Sequence, residues 1–168
     1  MLQPTPPLSP TATGANSRKL AIRAWAEQNA TQRDHWIERN AFYYAEDRRY
    51  MQFLVPAGMR VLDIGCGTGD LLAALKPSAG VGVDLSERMV EVARTRFAEL
   101  DFRCGDIEDP DFVAGLQGPF DYVILSDTIG LLDDIETALQ TSGLPPDALE
   151  IEITENIVLA QDEESLEP

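Results

Sequence analysis

The stretch VLDIGCGTGD, from Val61 to Asp70, narrows what this chain can fold into more than any other. Arg60 to Ile64 reads as a short buried strand. Thr68 or Gly69 then opens a helix that carries Leu71, Leu72 and Leu75 on one side and stops at Pro77. Between the two, Gly65, Gly67 and Gly69 make a tight turn. Glycine at such a turn permits positive φ and lets a ligand approach the backbone, with the unpaired N–H groups of the helix start beside it. A dinucleotide-binding turn has the spacing G-x-G-x-x-G, which would place a third glycine at position 70. This chain has Asp70 there and the spacing G-x-G-x-G. Asp63 and Asp70 flanking the turn disfavour a pyrophosphate and favour a ligand that carries positive charge.

The alternation continues downstream. Val81 to Leu85 is expected as a second strand, and Ser86 as the cap of a helix whose buried stripe is Met89, Val90, Ala93 and Phe97. Leu100 to Cys104 and Phe120 to Leu125 supply the third and fourth strands. Strand and helix alternating at this pace imply an α/β fold, a doubly wound parallel sheet covered on both faces with right-handed crossovers. Acids recur at the carboxyl ends of these strands. Asp84 ends the second strand, where a carboxylate can accept ribose hydroxyls. Asp106, followed by Ile107, lies after the third, where it can accept from an adenine amino group. Ser126 and Asp127 follow the fourth, on the side where a substrate would enter.

Upstream, Arg18 to Leu54 reads as helical, with Leu20, Ile22, Ala24 and Trp25 as apolar positions before a second run ending at Pro56 and Gly58. Tyr43 and Tyr44 are expected to pack in the core, His35 to be solvated, and Cys66 to fill space in the turn. Residues 1–16, rich in Pro, Thr and Ser, are expected to be disordered and lack the basic start and apolar stretch of a signal peptide. No apolar run reaches the roughly 18 residues of a membrane span. With two isolated cysteines, the expectation is a cytoplasmic protein with reduced thiols. The net charge of −16 argues against nucleic acid as a partner, since no basic patch offsets it.

These motifs in this order resemble class I S-adenosylmethionine-dependent methyltransferases, from about residue 34 to 138. The resemblance implies a Rossmann-like sheet and S-adenosyl-L-methionine as cofactor, whose sulfonium and ammonium suit the acids around the turn. It further implies that Asp63, Gly65 and Gly67 contact the methionine portion, Asp84 the ribose and Asp106 the adenine. Gly69, Ile107 and Ser126 complete the expected cofactor-binding set, with no metal ligand and no catalytic residue assigned. In such proteins the helices before the first strand, here holding Tyr43 and Tyr44, often close over the cofactor. The implied partner is a small-molecule or glycan-type methyl acceptor. The expected organisation is a tail over 1–16, a helical cap over 17–57 and a cofactor-binding core over 58–138.

The rest of the chain has a different character. Residues 141–168 hold eight acids and no Lys or Arg, half the net charge. The run LQTSGLPPDALEIEITENIVLAQDEESLEP resembles part of an EAL domain, the cyclic-di-GMP phosphodiesterase module, with Glu152 matching a metal-ligand glutamate and Glu155 ending the motif. The module's other ligands are absent, and one glutamate cannot hold the metal pair of such a hydrolase. Residues 139–168 are therefore expected to be an EAL-like fragment without phosphodiesterase activity. Leu149, Ile151 and Ile153 alternate with acids, as in an edge strand beside the fourth. On this reading the sheet is incomplete on its C-terminal side. The alternatives to a methyltransferase are a non-catalytic cofactor-binding hybrid and an EAL-derived signalling or interaction fragment.

Overall fold

The computed structural model describes residues 15–133. Four parallel strands form one sheet in the order β3-β2-β1-β4. They are β1 (Arg60–Ile64), β2 (Ala79–Asp84), β3 (Asp101–Cys104) and β4 (Tyr122–Ile124). β1 pairs with β2 on one side and β4 on the other, so Asp63 stands opposite both Gly82 and Ile124 in the middle of the sheet. The order reverses at β1. Crossovers on its two sides run to opposite faces, and a crevice opens at the carboxyl edge. This is the Rossmann-like architecture expected from the alternation of strands and helices.

Two apolar layers cover the sheet. Val55, Val61, Cys66, Leu72, Leu75, Val90, Ala93, Phe102 and Ile124 form one, and Leu62, Ile64, Val81, Val83, Ile107 and Val113 the other. Val61 and Leu62 are fully buried on opposite faces, as the period of two requires for a strand covered on both sides. Helix α4 (Glu87–Arg96) starts where expected. The Ser86 hydroxyl accepts the Met89 N–H at 3.2 Å, and Met89, Val90 and Ala93 are buried along one face. Helix α3 (Asp70–Ala74) is shorter than the run to Pro77 suggests, because Lys76 turns to φ 51° after Leu75. Helix α5 (Pro110–Ala114) lies between β3 and β4, with Pro110 in its first turn and the Asp109 carboxylate accepting the Asp111 N–H. β4 keeps only Tyr122–Ile124 of the expected strand. Phe120 and Leu125 pack on the second layer from outside the ladder.

The N-terminal region forms two helices, α1 (Ala15–Arg39) and α2 (Ala41–Leu54). Ala15 and Asn16, expected in the tail, are part of α1, and residues 1–14 lie outside the described residues. On α1 the buried positions are Ile22 and Ala30, while Leu20 is exposed and so is Ala24. No residue of α2 is fully buried. Met51 and Leu54 rest against the first layer, yet Phe42 and Phe53 stay 82% and 83% exposed. The expectation that Tyr43 packs in the core fails: it is exposed, stacked edge-on against Tyr44 rather than under the sheet. His35 is exposed on α1, as expected. The EAL-like segment 139–168 and its edge strand lie outside the described residues.

Candidate functional site

Asp63 is the most unusual side chain of the crevice. It is 2% exposed at the end of the central strand, and its Oδ2 meets no hydrogen-bond donor among the described residues. Burial first, then the nearby charge of Asp84, pushes its carboxyl up to about 7, with Asp47 of α2 adding to the rise and Arg33 opposing it. A buried carboxylate oxygen without a donor is costly unless a cation or donor reaches it.

The glycine turn follows directly. Gly65, Gly67 and Gly69 have φ of 79°, 53° and 84°, a conformation open to glycine at little cost. What surrounds each differs. A Cβ on Gly65 would overlap Thr128, 2.0 Å from its Oγ1, and one on Gly67 would crowd the Arg33 guanidinium. One on Gly69 would strike the Phe102 ring, so the third glycine makes room for core packing. The Gly65 and Cys66 N–H groups both donate to the Val83 carbonyl, which ties the turn to the end of β2. Cys66 is buried, and burial raises its thiol well above the usual range, which leaves it an inert filler.

Asp84 sits at the end of β2. Its Oδ2 accepts the Gly67 N–H and its Oδ1 the Ser86 N–H, both at 2.9 Å. Burial raises its carboxyl, and these two donors and Arg33 hold the rise back. Each oxygen keeps a further lone pair, which suits two hydroxyl donors. Asp70, the other acid of the turn, plays a different part. Both its oxygens bind Arg96, at 2.7 and 2.9 Å, and Thr68 donates to it as well. Its charge is thereby matched within the chain. The acids that set the sign of the crevice are Asp63 and Asp84.

At the β3 end, Asp106 lies at the expected place, but its oxygens are already engaged. Oδ1 accepts the Glu108 N–H at 2.9 Å, and Oδ2 accepts Lys19 Nζ at 2.5 Å. Lys19 also reaches Glu108 Oε2 at 2.8 Å. Burial pulls the Lys19 ammonium down, yet its bonds to the two carboxylates outweigh that and raise it. Ile107 is 4% exposed and belongs to the second apolar layer. Ser126 follows β4 with its carbonyl accepting Thr128 Oγ1, and exposed Asp127 takes a positive φ of 55°.

Sequence reasoning missed Lys19, Arg33, Asp47 and Thr128. One signal pointed to the first two. Lys19, Ile22, Ala26, Ala30 and Arg33 recur at spacings of three and four, one helix face with cations at both ends and small residues between. That face runs along the carboxyl edge. Arg18 bonds Asp133 and the Leu132 and Gly130 carbonyls beyond β4, and Lys19 holds Asp106 beyond β3. Glu27 accepts the Glu87 N–H at the start of α4, Arg33 covers Gly67 beyond β1, and Asp34 pairs with Arg96.

Comparison with known proteins agrees with this geometry. Residues 61–142 match the family described as methyltransferase domain, a match that runs past the boundary at 138 expected from the sequence. The magnesium-protoporphyrin O-methyltransferase of Rhodobacter capsulatus is 30% identical over 125 residues, 66% of this chain and 53% of that protein. The malonyl-[acyl-carrier protein] O-methyltransferase of Bacillus cytotoxicus is 34% identical over 102 residues, 55% of this chain and 32% of that protein. The chain thus spans about half or less of the length of these curated relatives. Among solved structures, a SAM-dependent methyltransferase of Thermotoga maritima, described as a possible histamine N-methyltransferase, superposes with a TM-score of 0.61 at 30% identity, over 72% of this chain and 55% of that one. The magnesium protoporphyrin IX methyltransferase of Synechocystis PCC 6803, solved with bound SAH, shares the fold: TM-score 0.60, 18% identity, 90% of this chain and 80% of that one.

Proposed function

We propose, from the premise that residues 61–142 carry a class I methyltransferase domain whose cofactor is S-adenosyl-L-methionine, that this chain methylates a small-molecule acceptor, with oxygen as the receiving atom. The observation that carries the reading is the buried Oδ2 of Asp63, which meets no donor beside the Gly65–Gly67 turn. An ammonium group, both donor and cation, fits that oxygen, and an anionic group does not. The same premise assigns Asp84 to the ribose hydroxyls, Asp106 to the adenine amino group and Ile107 to the apolar wall beside it. Gly65 and Gly67 present backbone to the methionine portion, Gly69 keeps the shape of the cofactor-binding turn, and Ser126 lines the edge nearest β4.

The bound cofactor supplies an electrophilic methyl group on a sulfonium. What the chain's own residues contribute is placement: acids that hold the cationic end, a turn without side chains, and two helices that limit water. An acceptor hydroxyl must lose a proton as it attacks, and Asp127 is the nearest acid on that side in chain order. The oxygen acceptor is supported by the names of the curated relatives, which include a ubiquinone biosynthesis O-methyltransferase and a nocamycin O-methyltransferase. A small-molecule or glycan-type acceptor agrees with the acidic charge, which disfavours nucleic acid. Among the described residues no helix is long and apolar enough to cross a membrane. Both cysteines are free, which suits the cytoplasm. The fragment over 139–168 takes no catalytic part in this reading.

Titration calorimetry with adenosylmethionine and adenosylhomocysteine tests the cofactor step. Saturable binding at one site per chain is expected, and flat titrations with both would refute the reading. Transfer of a labelled methyl group from adenosylmethionine into a small-molecule extract then tests the activity.

A further inference from the structure

One helix, α1, touches the segment that follows each strand of the described sheet, and it does so largely through charge. At the adenine end, Lys19 occupies Asp106 Oδ2 while the Glu108 N–H occupies Oδ1, so the acid assigned to the adenine has both oxygens engaged. At the turn, the Arg33 guanidinium lies against Gly67, close enough to influence Asp63 and Asp84. On α1, Ile22 and Ala30 are the buried hydrophobic residues, and Trp25, Ala26, Trp36 and Ile37 are half-buried beside them. The Lys19–Asp106 pair is partly exposed, and such a pair can change partners at modest cost.

We infer that α1 is an autoinhibitory strap, in which Lys19 competes with the cofactor's adenine for Asp106 and must release it before the nucleoside can seat. This rests on the cofactor reading above, and it predicts the opposite sign from a helix that only closes over bound cofactor. Lys19 donates to Asp106 in the closed form, and the adenine amino group donates to it in the open one. Lys19 Nζ stands 2.5 Å from Oδ2, so the competition is for the space beside that oxygen and not for its last lone pair. Apparent affinity is then the intrinsic affinity reduced by the fraction of molecules with the strap open.

The experiment measures adenosylhomocysteine binding, because that ligand carries no net charge to confuse a salt series. Lys19→Met should tighten binding by about twofold to tenfold, the range open to a partly exposed ion pair, while Lys19→Arg should not. Raising salt should tighten binding to the wild type more than binding to Lys19→Met. Equal or weaker binding in Lys19→Met overturns the strap, while saturable binding itself keeps the cofactor reading intact. If neither protein binds, the cofactor reading falls and the competition falls with it. Hydrogen exchange without ligand checks the latch separately. Amides over residues 19–27 should exchange faster in Lys19→Met, with β1 and β2 unaltered, and identical exchange would show that Lys19 fastens nothing.

Discussion

On the β1–β2 side of the carboxyl edge, Asp84 lies close enough to Asp63 to raise its carboxyl. Asp84 is met by two backbone N–H groups and Asp63 Oδ2 by no donor among the described residues. On the β3 side, Asp106 and Glu108 share a lysine at 2.5 and 2.8 Å. The first arrangement leaves negative charge unmatched in a buried place, and the second neutralises it with a side chain from a distant helix. Acids kept unmatched under burial are costly to the fold, and they persist where a ligand supplies the missing partner. Acids paired by a long, partly exposed side chain cost little and can change partners.

Three measurements would break or sharpen this contrast. The largest effect belongs to Asp63. Its carboxyl stands near 7 in the folded chain against 3.8 in the unfolded one, so the folded state binds more protons between those values. Stability should be highest below about pH 4 as far as this group decides, fall as pH rises to about 7, and stay flat beyond. The gap between the two values sets a ceiling on the order of 4 kcal/mol on that loss. Asp63→Asn should remove most of the slope in urea unfolding curves taken from pH 4.5 to 7.5 (about the span of the titration). An unchanged slope would mean that Asp63 is ionised and partnered after all. A smaller effect is expected from Asp84→Ala, which should weaken adenosylhomocysteine binding by about 1–3 kcal/mol by removing the receptor for two hydroxyls. Calorimetry on the two proteins side by side would show it. The smallest belongs to the other side. Asp106→Asn should cost less than about 1 kcal/mol of stability, since the pair it breaks is partly exposed and Lys19 keeps Glu108. A loss as large as that of a buried pair would erase the distinction between the two halves.

Much of this was legible in the sequence because it depends on short-range pattern. β1 shows as a run of apolar residues closed by glycine, the Ser86 cap precedes its helix, and Asp63, Asp84 and Asp106 follow from being at strand ends. Their chemistry is set by topology, which the strand–helix alternation already implies. The residues that were missed act across long separations. Lys19 meets Asp106 87 positions later, and Arg18 meets Asp133 115 positions later. No local period records such a pairing. The buried face of α1 was misread for a related reason: Leu20 looks like the better core residue, yet the sheet edge is polar and favours Ile22 and small Ala30. Tyr43 and Tyr44 looked like core because they are aromatic, but α2 uses Met51 and Leu54 for its contact and turns other large side chains outward. Asp70 was read for its charge alone, and its partner Arg96 comes from a helix whose approach depends on the crossover.

The strap also sets an order in time. During synthesis α1 leaves the ribosome before the groups that fasten it: Glu87 at the middle of the domain, Asp106 after it, Asp133 last. At roughly 5–20 residues per second, the wait between Arg18 and Asp133 is about 6–23 s. Throughout it the nascent helix carries Ile22, Trp25 and Trp36 without the surfaces that cover them in the fold.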